Sequence, residues 1–452
     1  MRRLYHDQLP LVTSGGQHPR SAALVEMGRR LDAMEAPLVA IRHDLAGGRK
    51  VSVKKGREGL SAEQVLRIGL VKQLFGFSYD ELAFHLEDSL QLRGFCRLSP
   101  SAAPPRRSAL QANVGAIRAK TWQAVNDALV FEARRGKVED GRWMRTDATV
   151  VESNIHHPLD SALLNDGVRV LTRILQRAKE DFGVAACNHA RRAKRRSIAI
   201  LHAGTMERRL PLYKDLLLVA RWTVSCAEKA LGELESSGDE AARPAAALRH
   251  FLPLVQGVID QTERRVLHGE QVPAGSKLVS IFEPHTDIIR KDRRETHYGH
   301  KVTLSTGRSG LVLDVVIEDG NPADSTLAIR STQRHTDLFG KPPERVAFDG
   351  GFASRNNLQA IRAAGTTEVC FSKPAGVAVD EMTTSPSIRR TLKRFRAGIE
   401  AGISFLKRSF GWERVTWRGQ PHFHAYVWCS AVAHNLLVLA RALIARRAPS
   451  RA

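Results

Sequence analysis

The sequence is short of acidic residues and of cysteine. Its 452 residues include 47 Asp and Glu against 69 Lys and Arg, which leaves a formal net charge of +22. The five cysteines are widely spaced and form no Cys-x-x-Cys pair. This spacing excludes a disulfide framework and argues against a cysteine zinc site, and we therefore predict reduced thiols.

Long hydrophobic runs and nucleotide-binding loops are missing as well. No uninterrupted run of 18 apolar residues occurs, which argues against a transmembrane helix. The charged N-terminal stretch is not followed by an apolar core, so we expect no signal peptide. No Walker sequence is present, and dependence on ATP is not expected. Together these absences predict a cytoplasmic protein with no membrane partner.

The excess of positive charge predicts a polyanionic partner. Nucleic acid fits best, because every Lys or Arg placed on a phosphate releases bound counterions. The alternative is that the charge serves general solubility. A hydrophobic fraction of 43% indicates a chain that buries a sizeable core. At one domain per roughly 150 residues, two to four domains are expected.

Capping signals predict several short helices in the first third of the chain. A serine followed three residues later by Gln or Glu, at Ser61 and at Ser78, forms a capping box before a helical pattern. The first of these helices is predicted to stop at Gly76. A basic loop is predicted at 47–56. We interpret residues 1–138 as a helical N-terminal domain that binds DNA.

The pattern then changes to strands. Residues 142–151 are rich in β-branched side chains, and 300–306 and 311–317 flank a glycine-containing turn that predicts a hairpin. Two more short strands are predicted at 345–348 and 368–371. A helix is predicted after the hairpin and after each of the two short strands. The last of these three helices begins at a Ser-Pro pair, Ser385-Pro386, and ends at Gly411.

The order of these elements predicts an α/β fold with a mixed sheet. Three strands come first, and helix, strand, helix, strand and helix follow, which suits an antiparallel meander joined to parallel strands. It is also the order of the ribonuclease H-like fold. We predict that the first part of a ribonuclease H-like catalytic domain lies at 139–162 and that a helical insertion between its first and second strands lies at 163–275. The rest of the catalytic domain, with the C-terminal helices, is predicted at 276–445.

The predicted insertion contains a dense basic run. Residues 191–196 hold five positive charges in six positions. Such a run on a helix is either a solvated face or a surface that contacts phosphate, and composition does not separate the two. Contact with DNA or with a second protomer is our hypothesis.

Three acidic residues lie in predicted elements that could bring them together. Asp147 lies in the first strand, Asp349 ends the fourth strand, and Glu400 lies in the long helix. If the first and fourth strands are neighbours, the two aspartates face each other and a helix on the sheet can bring Glu400 alongside. Three converging carboxylates repel one another unless hard cations hold them. Two Mg²⁺ ions, or Mn²⁺ in their place, would activate an attacking oxygen and neutralise a leaving one.

The helix around Glu400 shows a further pattern. Arg396 is four residues before Glu400 and Lys407 is seven after it, so all three lie on one helix face within roughly 60°. The alternative interpretation is an exposed ion pair between Arg396 and Glu400 at i,i+4 spacing.

Three segments in this order resemble the catalytic segments of DDE-class insertion-sequence transposases of the IS-four/IS-five superfamily. They are Asp147-Ala-Thr-Val-Val-Glu-Ser, Phe348-Asp349-Gly-Gly-Phe352 and Arg396-x3-Glu400-x6-Lys407. Residues 61–135 resemble the helical N-terminal domain of that group. Two positions depart from the pattern: Lys393 stands where many members have Tyr, and Gly350 where Arg is frequent.

This resemblance implies a DNA transposase. Such an enzyme binds the terminal inverted repeats of its element, hydrolyses the phosphodiester at each end and joins the free 3′-hydroxyl to target DNA. By the same resemblance Asp147, Asp349 and Glu400 hold the metal ions, while Arg396 and Lys407 grip phosphate beside the cut. The expected partner is double-stranded DNA, bound by a homodimer associated with the nucleoid. The alternatives are a catalytically inactive, transposase-derived DNA-binding protein and a structure-selective nuclease on the same fold.

Overall fold

The computed structural model describes residues 18–47, 59–291, 295–374 and 376–447. The chain divides into two compact units, one built from the residues up to Glu152 and from His300 onward, the other from Ser153–Gly299. The predicted basic loop lies outside the described residues from residue 48 on, as does the charged N-terminal stretch. The predicted domain boundaries remain predictions.

Helices fill the chain before the first strand. Their bounds are α1 Pro19–Asp32, α2 Ala36–Leu45, α3 Ala62–Phe75, α4 Tyr79–Asp88, α5 Leu90–Phe95, α6 Arg107–Ala116 and α7 Ala119–Arg135. Both capping boxes are confirmed. The hydroxyls of Ser61 and Ser78 each accept a hydrogen bond from the backbone N–H three residues on, and the side-chain oxygen of the Gln or Glu there accepts one from the serine N–H. Gly76 ends α3 in the left-handed conformation, as predicted.

These helices share their core with the C-terminal helix and the sheet. The helix α16 (Gln420–Arg447) packs against α7, α1 and α3. One apolar cluster joins Trp122 of α7, Leu66 of α3, Leu436 of α16 and Val302 of the sheet. The first unit is therefore one folded body, although its two parts are separated in sequence by the second unit.

The helix α16 is long and apolar enough by length and composition to cross a membrane. It contains no uninterrupted run of 18 apolar residues, because His434 and Asn435 lie within it, but its mean hydropathy is high. Of its most apolar window, 67% is buried inside the protein. Its packing against α7 accounts for that apolar composition as a core helix of this unit.

The strands are β1 Trp143–Glu152, β2 Asp287–Lys291, β3 Glu295–Thr306, β4 Val312–Ile317, β5 Arg345–Phe348 and β6 Glu368–Phe371. In the first unit the order across the sheet is β4–β3–β1–β5–β6. β1 and β5 run parallel, as do β5 and β6, while β3 and β4 are antiparallel. The predicted mixed sheet is confirmed, as is the adjacency of the first and fourth predicted strands. The arrangement is compatible with a ribonuclease H-like domain.

The later helices are α12 Ala328–Phe339, α13 Arg355–Ala363, α14 Val379–Met382 and α15 Pro386–Phe410. The helix α15 is the predicted long helix, with Ser385 as its N-cap, Pro386 at its first position and Gly411 in the left-handed conformation after its end. It packs on β1, β5 and β6. This contact sets its position over the strands that carry both aspartates.

Arg145 of β1 fixes α15 to the sheet. Its Nη1 donates to the carbonyl oxygen of Phe395 at 2.5 Å, its Nε donates to Thr306 Oγ1 at 2.8 Å, and its guanidinium lies 4.7 Å from the centre of the Phe395 ring. A Cβ atom at Gly398 would overlap Nη1 of Arg145. The absence of a side chain at 398 thus lets the helix approach β1, two residues before Glu400.

The second unit is mainly a helical bundle, as the sequence predicts for that region. Its helices are α8 Asp160–Phe182, α9 Ala190–His202, α10 Met206–Glu235 and α11 Ala242–Thr262, and they enclose a core of their own. β2, which the sequence analysis missed, pairs antiparallel with the first part of β3.

The basic run at 191–196 is divided on α9. Arg192 and Arg196 both pair with Asp215 of α10, and Arg192 lies 5.5 Å from the ring centre of Trp222. The other three cations, Arg191, Lys194 and Arg195, are exposed. Two of the five charges therefore hold α9 against α10, and three face solvent.

Two buried amides close the free edge of β4. Asn435 of α16 accepts a hydrogen bond from the Val312 N–H and donates to the Val312 carbonyl oxygen, both at 2.7 Å. It also donates to Asn126 of α7 at 2.7 Å. Both amides are fully buried, so the network satisfies a strand edge that water does not reach.

We predict that Asn435→Leu lowers the free energy of unfolding by about 2–4 kcal/mol. In this buried site the Val312 N–H loses its acceptor, and the Val312 carbonyl oxygen keeps only the longer hydrogen bond of 3.3 Å that Asn126 donates. Asn126→Leu should cost about half as much, since Asn435 still holds Val312. Urea denaturation followed by circular dichroism measures both. Equal losses in the two variants would contradict the network.

Stability should also depend on the half-buried Asp127 of α7. Burial and the neighbouring Asp314 raise the pKa of Asp127 to about 6, against the opposing charge of Arg334. The folded protein therefore keeps this proton to higher pH than the unfolded chain does, and the resulting stability is lost as pH rises from about 4 through about 6.

Asp127→Asn should accordingly stabilise the protein at pH 7.5 by about 1–2 kcal/mol and have little effect at pH 4. The measurement is urea denaturation at both pH values. Asp337→Asn, which removes an exposed carboxylate that also faces Arg334, is the control and should not show this difference. A pH-independent effect of Asp127→Asn would refute the assignment.

Candidate active site

Three carboxylates from three elements surround one guanidinium. The Nη1 atom of Arg396 lies 3.1 Å from Oδ1 of Asp349 and 3.9 Å from Oδ2 of Asp147. Its Nη2 atom lies 2.6 Å from Oε1 of Glu400. The structure thus brings together four of the five residues that the sequence analysis singled out.

The register of the sheet places the two aspartates side by side. β1 and β5 run parallel, with Thr146 opposite Phe348. Asp147 and Asp349 are the next residues on the two chains. Parallel neighbours in register present equivalent residues at the same height, so both carboxylates lie at the carboxyl end of β5.

The Asp349 carboxylate is held by several donors. The Ser372 hydroxyl donates to its Oδ1 at 2.7 Å, and Ser372 directly follows β6. Partial burial by itself would raise the pKa of Asp349, but the hydrogen bonds from Ser372 and the Gly350 N–H, with the charges of Arg396 and Lys373, outweigh it and lower the pKa below its usual value. Asp349 is therefore ionised at neutral pH.

The glycines after Asp349 make room for its neighbours. A Cβ atom at Gly350 would lie 2.8 Å from Cβ of Lys373, and one at Gly351 would lie 2.8 Å from Oδ2 of Asp324. A larger residue at 350 would push Lys373 away from Asp349. This packing is a physical reason for glycine at position 350.

The site opens toward solvent along α15. The side chain of Asp147 is 19% exposed, that of Asp349 45%, and that of Glu400 63%, while Arg396 is only 17% exposed. The Arg396 guanidinium is thus enclosed, and the solvent exposure of the carboxylates increases from Asp147 through Asp349 to Glu400. A polyanion can reach this edge of the sheet from the Glu400 side.

The alternative of a solvated ion-pair stripe accounts for one of these contacts. Arg396 and Glu400 do pair at i,i+4 spacing, but Arg396 is largely buried and also reaches Asp349. Lys407 lies two turns beyond Glu400 on the same helix and is half-buried. Its predicted contact with phosphate remains a prediction.

The sequence analysis missed Ser372 and Lys373. Both follow β6 directly, and β6 runs parallel to β5, so their backbone lies at the same sheet edge as Asp349. A polar pair immediately after a predicted parallel strand was the signal that could have identified them.

The donor set suits a hard divalent cation, since it consists of carboxylate oxygens. In the part of the chain that the structure describes, no group of three or more His, Cys, Asp or Glu side chains is arranged to hold a metal ion. The Arg396 guanidinium stands between the three carboxylates and supplies the positive charge that their convergence requires.

Comparison with protein families gives two matches. Residues 17–114 match a family described as a transposase domain (DUF772), and residues 257–436 match the transposase DDE domain. The second match includes Asp349, Arg396, Glu400 and Lys407, and Asp147 lies outside it. Neither the curated proteins nor the solved structures gave a match.

The two matches agree with what the structure shows. The first covers helices α1 to α6, and the second covers most of the sheet together with α15 and most of α16. One chain thus carries both transposase domains in order. Two of the three carboxylates, Asp349 and Glu400, lie within the DDE match, and Asp147 comes from β1, which lies before it. Together the two matches indicate a DDE-class transposase of an insertion sequence.

Proposed function

We propose that this protein is an active DNA transposase with a ribonuclease H-like catalytic domain. It binds the terminal inverted repeats of its element, cleaves the DNA in a metal-dependent reaction and transfers the free ends to target DNA. The observation that carries the proposal is the meeting of Asp147, Asp349 and Glu400 around one cation.

The three carboxylates are the proposed metal ligands. Two Mg²⁺ ions, or Mn²⁺ in their place, would supply an activated oxygen nucleophile and neutralise charge on the leaving oxygen. Asp349 is prepared for this role because its donors keep it ionised. Ser372 fixes the orientation of that carboxylate from the neighbouring strand.

Arg396 and Lys407 are the proposed phosphate-binding residues. In the free protein Arg396 pairs with carboxylates, and in the DNA complex we propose that it pairs with phosphate beside the cut. A guanidinium suits both partners, because its donors match the geometry of carboxylate and phosphate oxygens equally well. Lys407 would add a point charge further along the same helix face.

The proposed partners are the inverted repeats and the target DNA, held by a homodimer. The net charge of +22 supports a nucleic-acid partner. Recognition of the element ends is assigned to the helices between residues 60 and 135. The proposed location is the cytoplasm, with association with the nucleoid when DNA is bound.

The rival hypothesis is an inactive, transposase-derived DNA-binding protein. Such a protein is not constrained to keep three carboxylates oriented around one site. Here Asp349 is held by Ser372, and Gly350 leaves room for Lys373 beside it. This support for the carboxylate favours an enzyme.

The main prediction is that Asp147→Asn, Asp349→Asn and Glu400→Gln each reduce cleavage of end-containing DNA in Mg²⁺ by about 100-fold or more. The substitutions keep the side-chain shape and remove the charge needed to hold the ions. Binding to the same DNA, measured by gel shift, should change little.

Glu413→Gln provides the control, because it removes an exposed carboxylate in the same unit. It should cleave like the parent. If one of the three carboxylate variants cleaves DNA like the parent, the residue replaced in it is not a metal ligand. If the parent binds element ends without cleaving them under any divalent ion, the rival hypothesis is correct.

A further prediction concerns α9. Replacing the three exposed cations Arg191, Lys194 and Arg195 with Gln should weaken assembly of the protein–DNA complex at moderate salt without unfolding the protein. The matched variant Arg192→Gln/Arg196→Gln should instead lower stability, because those cations pair with Asp215. Native gels and urea denaturation distinguish the effects. Unchanged assembly in the triple variant would show that the exposed cations form only a solvated face.

A further inference from the structure

We propose that a cleft at the start of α15 is a second phosphate-binding site, which holds the backbone of the DNA strand that enters the active site. The proposal rests on the function proposed above. It assigns a ligand to a surface that neither the catalytic residues nor the two family matches explain.

The cleft is formed by α14, the segment after it and the first two turns of α15. Its volume is about 740 Å³. Three cations line it, namely Arg389, Arg390 and Lys393, against the single carboxylate of Asp380. Thr383 and Thr384 also line the cleft, which carries a net positive charge from its cations.

The cations of the cleft continue into the active site. Arg389, Lys393, Arg396 and Glu400 follow one another at steps of four, three and four residues, which places them on one face of α15. At 1.5 Å per residue, each step advances about 5–6 Å along the helix. A ligand in the cleft would thus lie one to two turns from the guanidinium that contacts the three carboxylates.

The buried thiol of Cys370 supports this convergence. Burial raises the pKa of Cys370 on β6, and the positive charges of Arg389, Lys393 and Arg396 all oppose that rise. Three cations from successive turns of α15 therefore act on the same point of the sheet. Their fields add at the strand that neighbours β5.

The cleft cations lack the partners that Arg396 has. Among the described residues, no ion pair is formed by Arg389, Arg390 or Lys393, whereas Arg396 contacts three carboxylates. In addition, the Nε atom of Arg389 is buried and has no hydrogen-bond partner. A buried donor without an acceptor is unfavourable, and an anionic oxygen in the cleft would satisfy it.

A DNA strand fits these features better than a free anion. A single phosphate would use one or two of the cations, whereas the charged row extends from Arg389 to Arg396. The row ends beside the carboxylates that would act on a phosphodiester. A ligand with phosphates at regular intervals can occupy the row and the active site together.

The test uses the full-length protein and duplex DNA that carries an element end with its flanking sequence. The affinity of the parent and of Arg389→Gln/Lys393→Gln is measured at several salt concentrations. Each phosphate contact contributes about 0.7–0.9 to the slope of log K against log salt concentration. The double variant should therefore reduce the magnitude of that slope by about 1.5.

Arg394→Gln/Arg408→Gln is the matched control. It also removes two positive charges from α15, but both side chains are exposed and neither lines the cleft. Its slope should stay within about 0.5 of the parent value. Circular dichroism and urea denaturation establish that both double variants are folded.

The outcomes separate the cleft from the proposed function. If the cleft variant keeps the parent slope while the parent binds and cleaves the DNA, the cleft proposal is wrong and the function stands. If both double variants lose equal slope, the effect is general charge and the cleft proposal is also wrong. A parent that neither binds nor cleaves the end refutes the proposed function itself.

A second arm tests the free anion. The parent and the cleft variant are titrated with inorganic phosphate by calorimetry. Saturable phosphate binding that the cleft variant loses, together with an unchanged DNA slope, would identify a small-anion site and overturn the assignment to DNA. Weak or absent phosphate binding with the reduced slope is the expected result.

Discussion

The contact of one guanidinium with three carboxylates is the interaction on which the candidate active site of this protein depends. Asp147, Asp349 and Glu400 cannot meet at one sheet edge unless positive charge lies among them. Arg396 supplies that charge from the helix that also carries Glu400. The three carboxylates can therefore lie together in the absence of a metal ion or DNA. If metal ions took over the neutralisation of the carboxylates, the Arg396 guanidinium would be available to bind another anion.

Much of the surrounding structure holds Arg396 and its three carboxylate partners in position. The parallel pairing of β1 with β5 aligns the aspartates, and Arg145 draws α15 onto β1 at Gly398, where no side chain intervenes. On the opposite side of the unit, Asn435 joins α16 to the edge of β4. The acidic site is thus supported by backbone pairing and buried polar contacts as well as by apolar packing.

The sequence predicted the local features that follow from short-range chemistry. The capping boxes at Ser61 and Ser78, the end of α15 at Gly411 and the strands that carry Asp147 and Asp349 could be predicted from residue type and spacing. The partners of Arg396 could be predicted only in part, because the i,i+4 pair with Glu400 is local whereas Asp349 is 47 residues away. Ser372 and Asn435 act through contacts that tertiary packing alone creates, and no periodic pattern marks them. β2 was missed although its pairing with β3 is local, because the three residues between the strands, 292–294, include no Gly or Asn to mark a tight hairpin turn.

The packing of α7 against α16 also constrains the order in which the protein can be made. α7, whose Trp122 and Leu129 belong to the apolar cluster of this unit, packs against a helix that begins at Gln420. At typical rates of synthesis, the ribosome needs on the order of tens of seconds to reach α16 after it has completed α7. During that interval the N-terminal helices lack the surface that buries them. A product truncated before α16 would therefore lack both a complete core and a stable N-terminal part, so shortened chains would be removed by proteolysis or aggregation and would not accumulate beside the full-length protein.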